Sequence, residues 1–341
     1  MKKYKILALL LIIILLFALT ACNAENTSDN QTGQADLTPV TMCLDWTPNT
    51  NHTGLYVAVA KGYYAEHGLD VTIVQPAEDS AAALCAAGKV DFAIEFQDTL
   101  AAAFAMDKPL GITAVAAILQ HNTSGVLSRA GEGIDRPSGL AGKKYSTWNS
   151  PIELAMLQYV VEADGGDFSA VELIPNTITD EPAALAAKQT DAVWVFYGWG
   201  GINATVEGVA SDYFAFADID KVFDYYTPVL ITGDQLIADN PELVEAFVDA
   251  TAAGYEYAAA NPQEAARILI EGDDTGSLKG SEDLVYTSQE WISQQYKADA
   301  AKWGLIDQER WDAFYAWLYD KDLIANKIPA GFGFSNDFLP Q

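Results

Sequence analysis

From Pro39 onward, short apolar runs alternate with stretches in which apolar side chains recur every three or four positions. The runs 40–44, 71–75, 92–96 and 112–118 have the length and β-branched content of strands, and 54–67, 80–87 and 98–106 have a helical period. The same grammar returns further on, with strands over 144–147, 171–175 and 192–197, helices over 151–163 and 181–188, and another helix after Gly200. Local sequence repeats as well. Ala-Ala-Gly-Lys-Val-Asp-Phe-Ala-Ile precedes Glu95 and Ala-Ala-Lys-Gln-Thr-Asp-Ala-Val-Trp precedes Val195, so Asp91 and Asp191 each stand just before an apolar strand. Strands alternating with helices predict βαβ units and mostly parallel sheets, here in two α/β lobes of related design.

The last third changes character. Amphipathic helices are expected over 242–259, 263–271, 282–302 and 308–321. Asn240-Pro241 and Asn261-Pro262 each offer an N-cap acceptor followed by a proline at the first helical position. Helices without strands of their own must pack on an existing lobe, and the chain returns to the first through 227–232. The expected division is lobe I at 39–123 and 226–341 and lobe II at 124–225, with crossings near 120–125 and 220–228. In such a clam the ligand cleft lies at the carboxyl ends of the strands.

Upstream of this body, Lys2, Lys3 and Lys5 lead into 14 apolar residues at 6–19, followed by Thr20, Ala21 and Cys22. Fourteen is short of the roughly 20 needed to span a bilayer. A cationic, then apolar, then small-residue order is an export signal, and a cysteine directly after it marks a bacterial lipoprotein. Residues 1–21 are therefore expected to be a cleaved signal peptide, Cys22 to carry a lipid, and the polar stretch 22–38 to be a flexible tether holding the body at the outer face of the cell membrane.

The full chain carries a net charge of −28, and cleavage before Cys22 would remove three lysines and no acid. With no basic runs or patches, nucleic acid is excluded as a partner. Acidity of this kind keeps an exported monomer soluble. Cys43 and Cys85 sit in apolar segments; the sequence leaves open a disulfide between them, as an oxidising compartment allows, and favours two buried free thiols. His52, His67 and His121 are far apart and unaccompanied by cysteine pairs, so no metal site is expected.

The strand ends carry the candidate chemistry. Asp45, Trp46, Asn49 and His52 follow the first strand and Tyr56 opens the helix behind them; Glu95, Phe96 and Gln97 follow the third. Asn122 stands at the first crossing, and Tyr225 and Thr227 at the second. In the second lobe Trp148 opens a helix, and Phe196, Tyr197 and Trp199 end a strand. Aromatic planes with amide and carboxylate acceptors suit a flat, polar, nitrogen-rich ring, whose amino groups bring their own donors. Each residue also has a plainer reading, as an N-cap, a turn former or a core aromatic. Their convergence on strand ends is the signal. Glu95 and Asp45 are the expected partners of an exocyclic amino group.

Asp45-Trp46-Thr47-Pro48-Asn49-Thr50-Asn51-His52, with Lys61-Gly62-Tyr63-Tyr64, His67-Gly68-Leu69 and Trp148-Asn149-Ser150-Pro151, resembles the family of binding proteins for the thiamine pyrimidine precursor. The resemblance implies a type II periplasmic-binding-protein fold, an ABC permease as partner, a small aminopyrimidine as ligand, no cofactor and no catalysis. Binders of riboflavin, taurine, aliphatic sulfonates and nitrate are similar in outline. The family also holds the fungal pyrimidine synthase, in which a lysine carries pyridoxal phosphate, a histidine is consumed and a cysteine-rich segment helps bind iron. His52 matches the histidine position and Lys61 lies near that of the lysine. The cysteine segment has no counterpart, the stretch before Thr232 reading Tyr-Tyr-Thr-Pro-Val-Leu-Ile. An inert lipoprotein scaffold is a third reading, distinguished by its lack of any ligand-induced stabilisation.

Overall fold

A computed structural model describes residues 37–76 and 80–341. Cys22, the expected signal peptide and the expected tether up to residue 36 lie outside the described residues. Among the described residues ten strands form: β1 Thr38–Cys43, β2 Leu69–Val74, β3 Phe92–Glu95, β4 Ile112–Ala117, β5 Ser124–Arg129, β6 Lys144–Thr147, β7 Glu172–Pro175, β8 Ala192–Phe196, β9 Ser211–Ala215 and β10 Val229–Gly233. They make two five-stranded sheets, ordered β2-β1-β3-β10-β4 and β7-β6-β8-β5-β9.

The sheets are mixed rather than mostly parallel. β1 runs parallel to β2 and β3, and β6 to β7 and β8, but β10 is antiparallel to β3 and β4, and β5 to β8 and β9. The reason is connectivity. β5 and β10 are the strands by which the chain arrives from the other sheet, and each starts beside the carboxyl end of a neighbour, Ser124 opposite Phe196 and Val229 opposite Glu95. They therefore run away from the ends that face the cleft. β10 is buried along its whole length, which accounts for its uninterrupted apolar start, Val229-Leu230-Ile231.

The repeated local sequence has a physical basis. The Asp91 carboxylate accepts from the Thr41 N–H at 2.7 Å and that of Asp191 from the Lys144 N–H at 2.9 Å, while each aspartate's own N–H donates to the same residue's carbonyl. Both aspartates thus tie the strand they precede to its parallel neighbour, β3 to β1 and β8 to β6.

The C-terminal helices Pro241–Ala260, Pro262–Gly272, Glu282–Ile292 and Gln308–Asp320 form near the expected places. Asn240 caps the first, accepting from the Leu243 N–H at 3.2 Å. Asn261 does not cap the second; its amide donates back to the Tyr257 carbonyl at 3.0 Å, closing the preceding helix instead. The third helix stops well short of residue 302, where the Ser293 hydroxyl donates to the Gln289 carbonyl at 2.6 Å and competes with the helical ladder.

Helix Pro241–Ala260 crosses helix Thr53–Lys61 almost backbone to backbone. A Cβ on Gly254 would lie 2.1 Å from the Gly54 carbonyl oxygen, and one on Gly54 would lie 2.3 Å from the Tyr255 ring. This crossing fixes where the Thr53 helix begins and therefore where the loop after β1 sits.

Candidate functional site

Between the sheets lies a cavity of about 320 Å³, within the range of small-molecule sites. It is walled by residues following β1 (Asp45, Trp46, Asn49, Asn51), β3 (Phe96), β6 (Trp148) and β7 (Thr177, Ile178, Thr179, Glu181), and by Trp194 to Phe196 with Trp199 and Gly200 on β8 and beyond. Trp46 is 48% exposed and Trp148 45%, so two large aromatic faces stand uncovered in the cleft. Phe96 stacks on Phe196 across it, ring centroids 5.6 Å apart.

Asp45 is held from behind by His52, which is fully buried. The His52 Nδ1 accepts from the Asn49 N–H at 3.2 Å, so the ring proton belongs on Nε2, which donates to Asp45 Oδ1 at 2.7 Å. The loop is braced further down. Asn49 Oδ1 accepts from the Asn51 N–H, and the Tyr255 and Tyr296 hydroxyls donate at 2.6 Å to the carbonyls of Asn51 and Thr50. The C-terminal helices are thus the floor of the β1 loop. On the other lobe the buried Glu153 accepts from the Thr147 and Tyr145 hydroxyls and from the Ser150 and Trp148 N–H groups. That network fixes the turn presenting Trp148, in which Asn149 takes a left-handed φ of 61°.

Seven of the expected residues line the cavity: Asp45, Trp46, Asn49, Phe96, Trp148, Phe196 and Trp199. The others are placed elsewhere, each for a visible reason. His52 stands one layer back, positioning Asp45. Tyr56 points to the outer face of the first sheet, where it packs against Gly272 beside a separate cavity. Glu95 turns toward the helix Ala81–Ala86, accepting from the Ala82 N–H at 3.1 Å and the Thr99 hydroxyl at 2.8 Å; burial raises its pKa. Gln97 is buried and bonded to the Trp311 carbonyl and the Tyr226 N–H. Asn122 spends its side chain on the Phe223 carbonyl and the Ser124 N–H. Tyr197 packs against Tyr213 and Trp291, Tyr225 stacks on Phe314 at 4.0 Å, and Thr227 is buried ahead of β10. Gln97 and Asn122 are thus taken up by backbone groups near the crossings, whereas the buried Thr227 hydroxyl has no partner among the described residues.

Sequence reasoning missed Glu181, Trp194 and the loop 177–179. Glu181 opens helix Glu181–Ala186 beside Gly200, and burial raises its pKa. Trp194 is 5% exposed and its indole N–H has no partner among the described residues. The loop after β7 answers to the same strand-end rule as the others and could have been found by it.

The described residues lining the cavity include two carboxylates and no lysine or arginine. Among the described residues no His, Cys, Asp and Glu cluster could hold a metal. Lys61 has its Nζ 2.8 Å from Glu264 and 4.3 Å from the Tyr257 ring centre, away from the lining. With its amine paired there and no cation on the cleft wall to meet a phosphate, these residues do not fit pyridoxal phosphate.

A family model described as NMT1/THI5 like matches residues 49–265. The chain is 30% identical, over 98% of its length and 99% of the relative's, to a formylaminopyrimidine-binding protein of Halalkalibacterium halodurans. The chain belongs to the NMT1/THI5-like family. Another member, the 4-amino-5-hydroxymethyl-2-methylpyrimidine phosphate synthase THI11 of Saccharomyces cerevisiae, is 28% identical over 68% of this chain and 70% of its own. Among solved structures, the alkanesulfonate-binding protein SsuA of Xanthomonas axonopodis pv. citri aligns with a TM-score of 0.65 at 12% identity, over 88% of this chain and 99% of that one. The fold is that of the periplasmic binding proteins.

Proposed function

We propose that this chain is the solute-binding lipoprotein of an ABC importer, and that it captures a small aminopyrimidine between its lobes and releases it unchanged. The observation that carries the reading is an aromatic-lined cavity whose ionic groups are all carboxylates, one of them fixed by a buried histidine. Asp45 and Glu181 accept from the exocyclic amino group, the tryptophans cover the ring faces, and the unpartnered Trp194 N–H meets an acceptor such as a formyl oxygen. The binding relative's name supports the same class of ligand. A sulfonate or phosphate would meet two carboxylates and no cation, which disfavours anionic solutes. Cys22 would anchor the chain at the outer face of the membrane, where a permease takes the ligand from the closed form.

Calorimetry and thermal unfolding with formylaminopyrimidine test this. At 100 times the dissociation constant the ligand adds about 2.7 kcal/mol of stability, while the phosphate ester of the hydroxymethylpyrimidine gives no shift. Absence of any shift with aminopyrimidines would reject the reading, and an absorbance band near 400 nm in the purified protein would revive the synthase.

A further inference from the structure

On the side of Trp46 and Trp199 the ring cavity has a neighbour. Both side chains, with Thr179, also wall a second cavity of about 530 Å³, which runs outward between the loop carrying Ser277 and Ser281 and the helices Glu181–Ala186 and Ile202–Val206. Its charged walls are Asp180 and Glu207, again without a lysine or arginine among the described lining residues; Lys279, in the serine-bearing loop, does not line it. Trp46, nearly half exposed, stands at the junction with indole surface available to either cavity.

We infer that the two cavities form one elongated site whose outer part takes a positively charged substituent attached to the aminopyrimidine. The outer part deepens the functional reading above and rests on it. An uncharged pyrimidine fills the inner cavity and leaves the Glu207 carboxylate and an aromatic face in the outer one without a counterpart, while Asp180 Oδ1 accepts from the Ala183 N–H at 3.0 Å as the cap of helix Glu181–Ala186 and adds its negative charge there. A cationic ring joined to the pyrimidine by one carbon would lie over Trp46 or Trp199, with its charge balanced by Asp180 and Glu207. An anionic or phosphorylated extension would be repelled along the same path.

Thiamine is a suitable probe, because it joins an aminopyrimidine through one methylene to a thiazolium cation. By calorimetry it should bind about ten-fold more tightly than its pyrimidine half, 4-amino-5-hydroxymethyl-2-methylpyrimidine. Glu207 is exposed and touches no part of the inner cavity. Glu207→Lys should weaken thiamine about five-fold or more and leave the short pyrimidine unchanged. Ala186→Arg, which fills the outer cavity with bulk and positive charge, should do the same. Thiamine that binds no better than its pyrimidine half, or that is insensitive to both substitutions, overturns the elongated site while leaving the aminopyrimidine reading standing. Failure of both compounds to bind overturns both.

Discussion

At the residue scale, two glutamates, one at the end of β3 and one opening helix Glu181–Ala186, divide the work in a way that composition does not reveal. Glu95 and Glu181 are both desolvated, but Glu95 is engaged by the Ala82 N–H and the Thr99 hydroxyl, whereas Glu181 lines the cavity. Glu181→Gln is expected to weaken an aminopyrimidine by about 1.5–3 kcal/mol, the usual worth of a charged hydrogen bond. Glu95→Gln should change affinity by no more than about 0.5 kcal/mol and act on the melting temperature instead; calorimetry on both variants separates them. The motif Asp45 to His52 was legible because an aspartate, a tryptophan and a histidine at a strand end are unusual together. That His52 serves Asp45 from inside, and that Gln97 and Asn122 serve the backbone, was not legible, because a polar side chain gives no sign in sequence of which buried partner it satisfies. His121 is a further case. Its Nδ1 lies 2.8 Å from Asp224 and its Nε2 2.9 Å from Asp299, so both contacts are made in full only by the imidazolium, and Asp224 raises its pKa. A raised folded pKa contributes stability that is fully present below the ordinary value of 6.5 and is lost as pH rises through the folded value. The melting temperature of His121→Gln should therefore fall below that of the parent at pH 5 and converge with it on the alkaline side; a constant gap would rule the ion pairs out as its cause.

At the scale of elements, alternation of strand and helix was enough to order β1 to β4 and β6 to β8, because each buried run is short, apolar and bounded by turn residues, but it passed over β5 and β9. It could not give strand direction. A single run of apolar residues reads the same in either sense, and β5 and β10 are antiparallel only because the chain enters each sheet from the cleft. The C-terminal helices were visible as amphipathic stretches, but their task as the floor beneath Asn49 to His52 depends on the Gly54–Gly254 crossing, which no periodicity reports. Gly254→Val is expected to force those helices apart, lowering stability by about 1–3 kcal/mol. Because the Thr53 helix carries the β1 loop, affinity for an aminopyrimidine should fall in the same variant although no ligand contact is removed. Chemical denaturation together with calorimetry checks both; a destabilised protein with parental affinity would show that the loop is positioned independently of the crossing.

For the whole molecule, a ligand closes two lobes only by binding the closed arrangement better than the open one. A ring touching Asp45 and Trp46 on one side and Glu181 and Trp148 on the other has that property, since either half alone offers one aromatic wall and one carboxylate. The lobes also meet away from the cavity. The Ser288 hydroxyl donates to the Gly198 carbonyl, Tyr197 packs on Trp291, and a Cβ on Gly198 would sit 3.1 Å from both Ile292 and Trp291. Gly198→Val would place bulk at that contact without altering any group that lines the cavity. If closure there is coupled to capture, the variant should populate the closed form less, and apparent affinity should drop in proportion to the lost population. A ten-fold drop, about 1.4 kcal/mol, is the expected order. Small-angle scattering should show the parent contracting on saturation with an aminopyrimidine and the variant contracting only at a higher ligand concentration. Parental affinity with unchanged contraction would mean that the contact between Gly198 and the helix Glu282–Ile292 is a fixed pivot, and that closure takes place entirely on the cavity side of it.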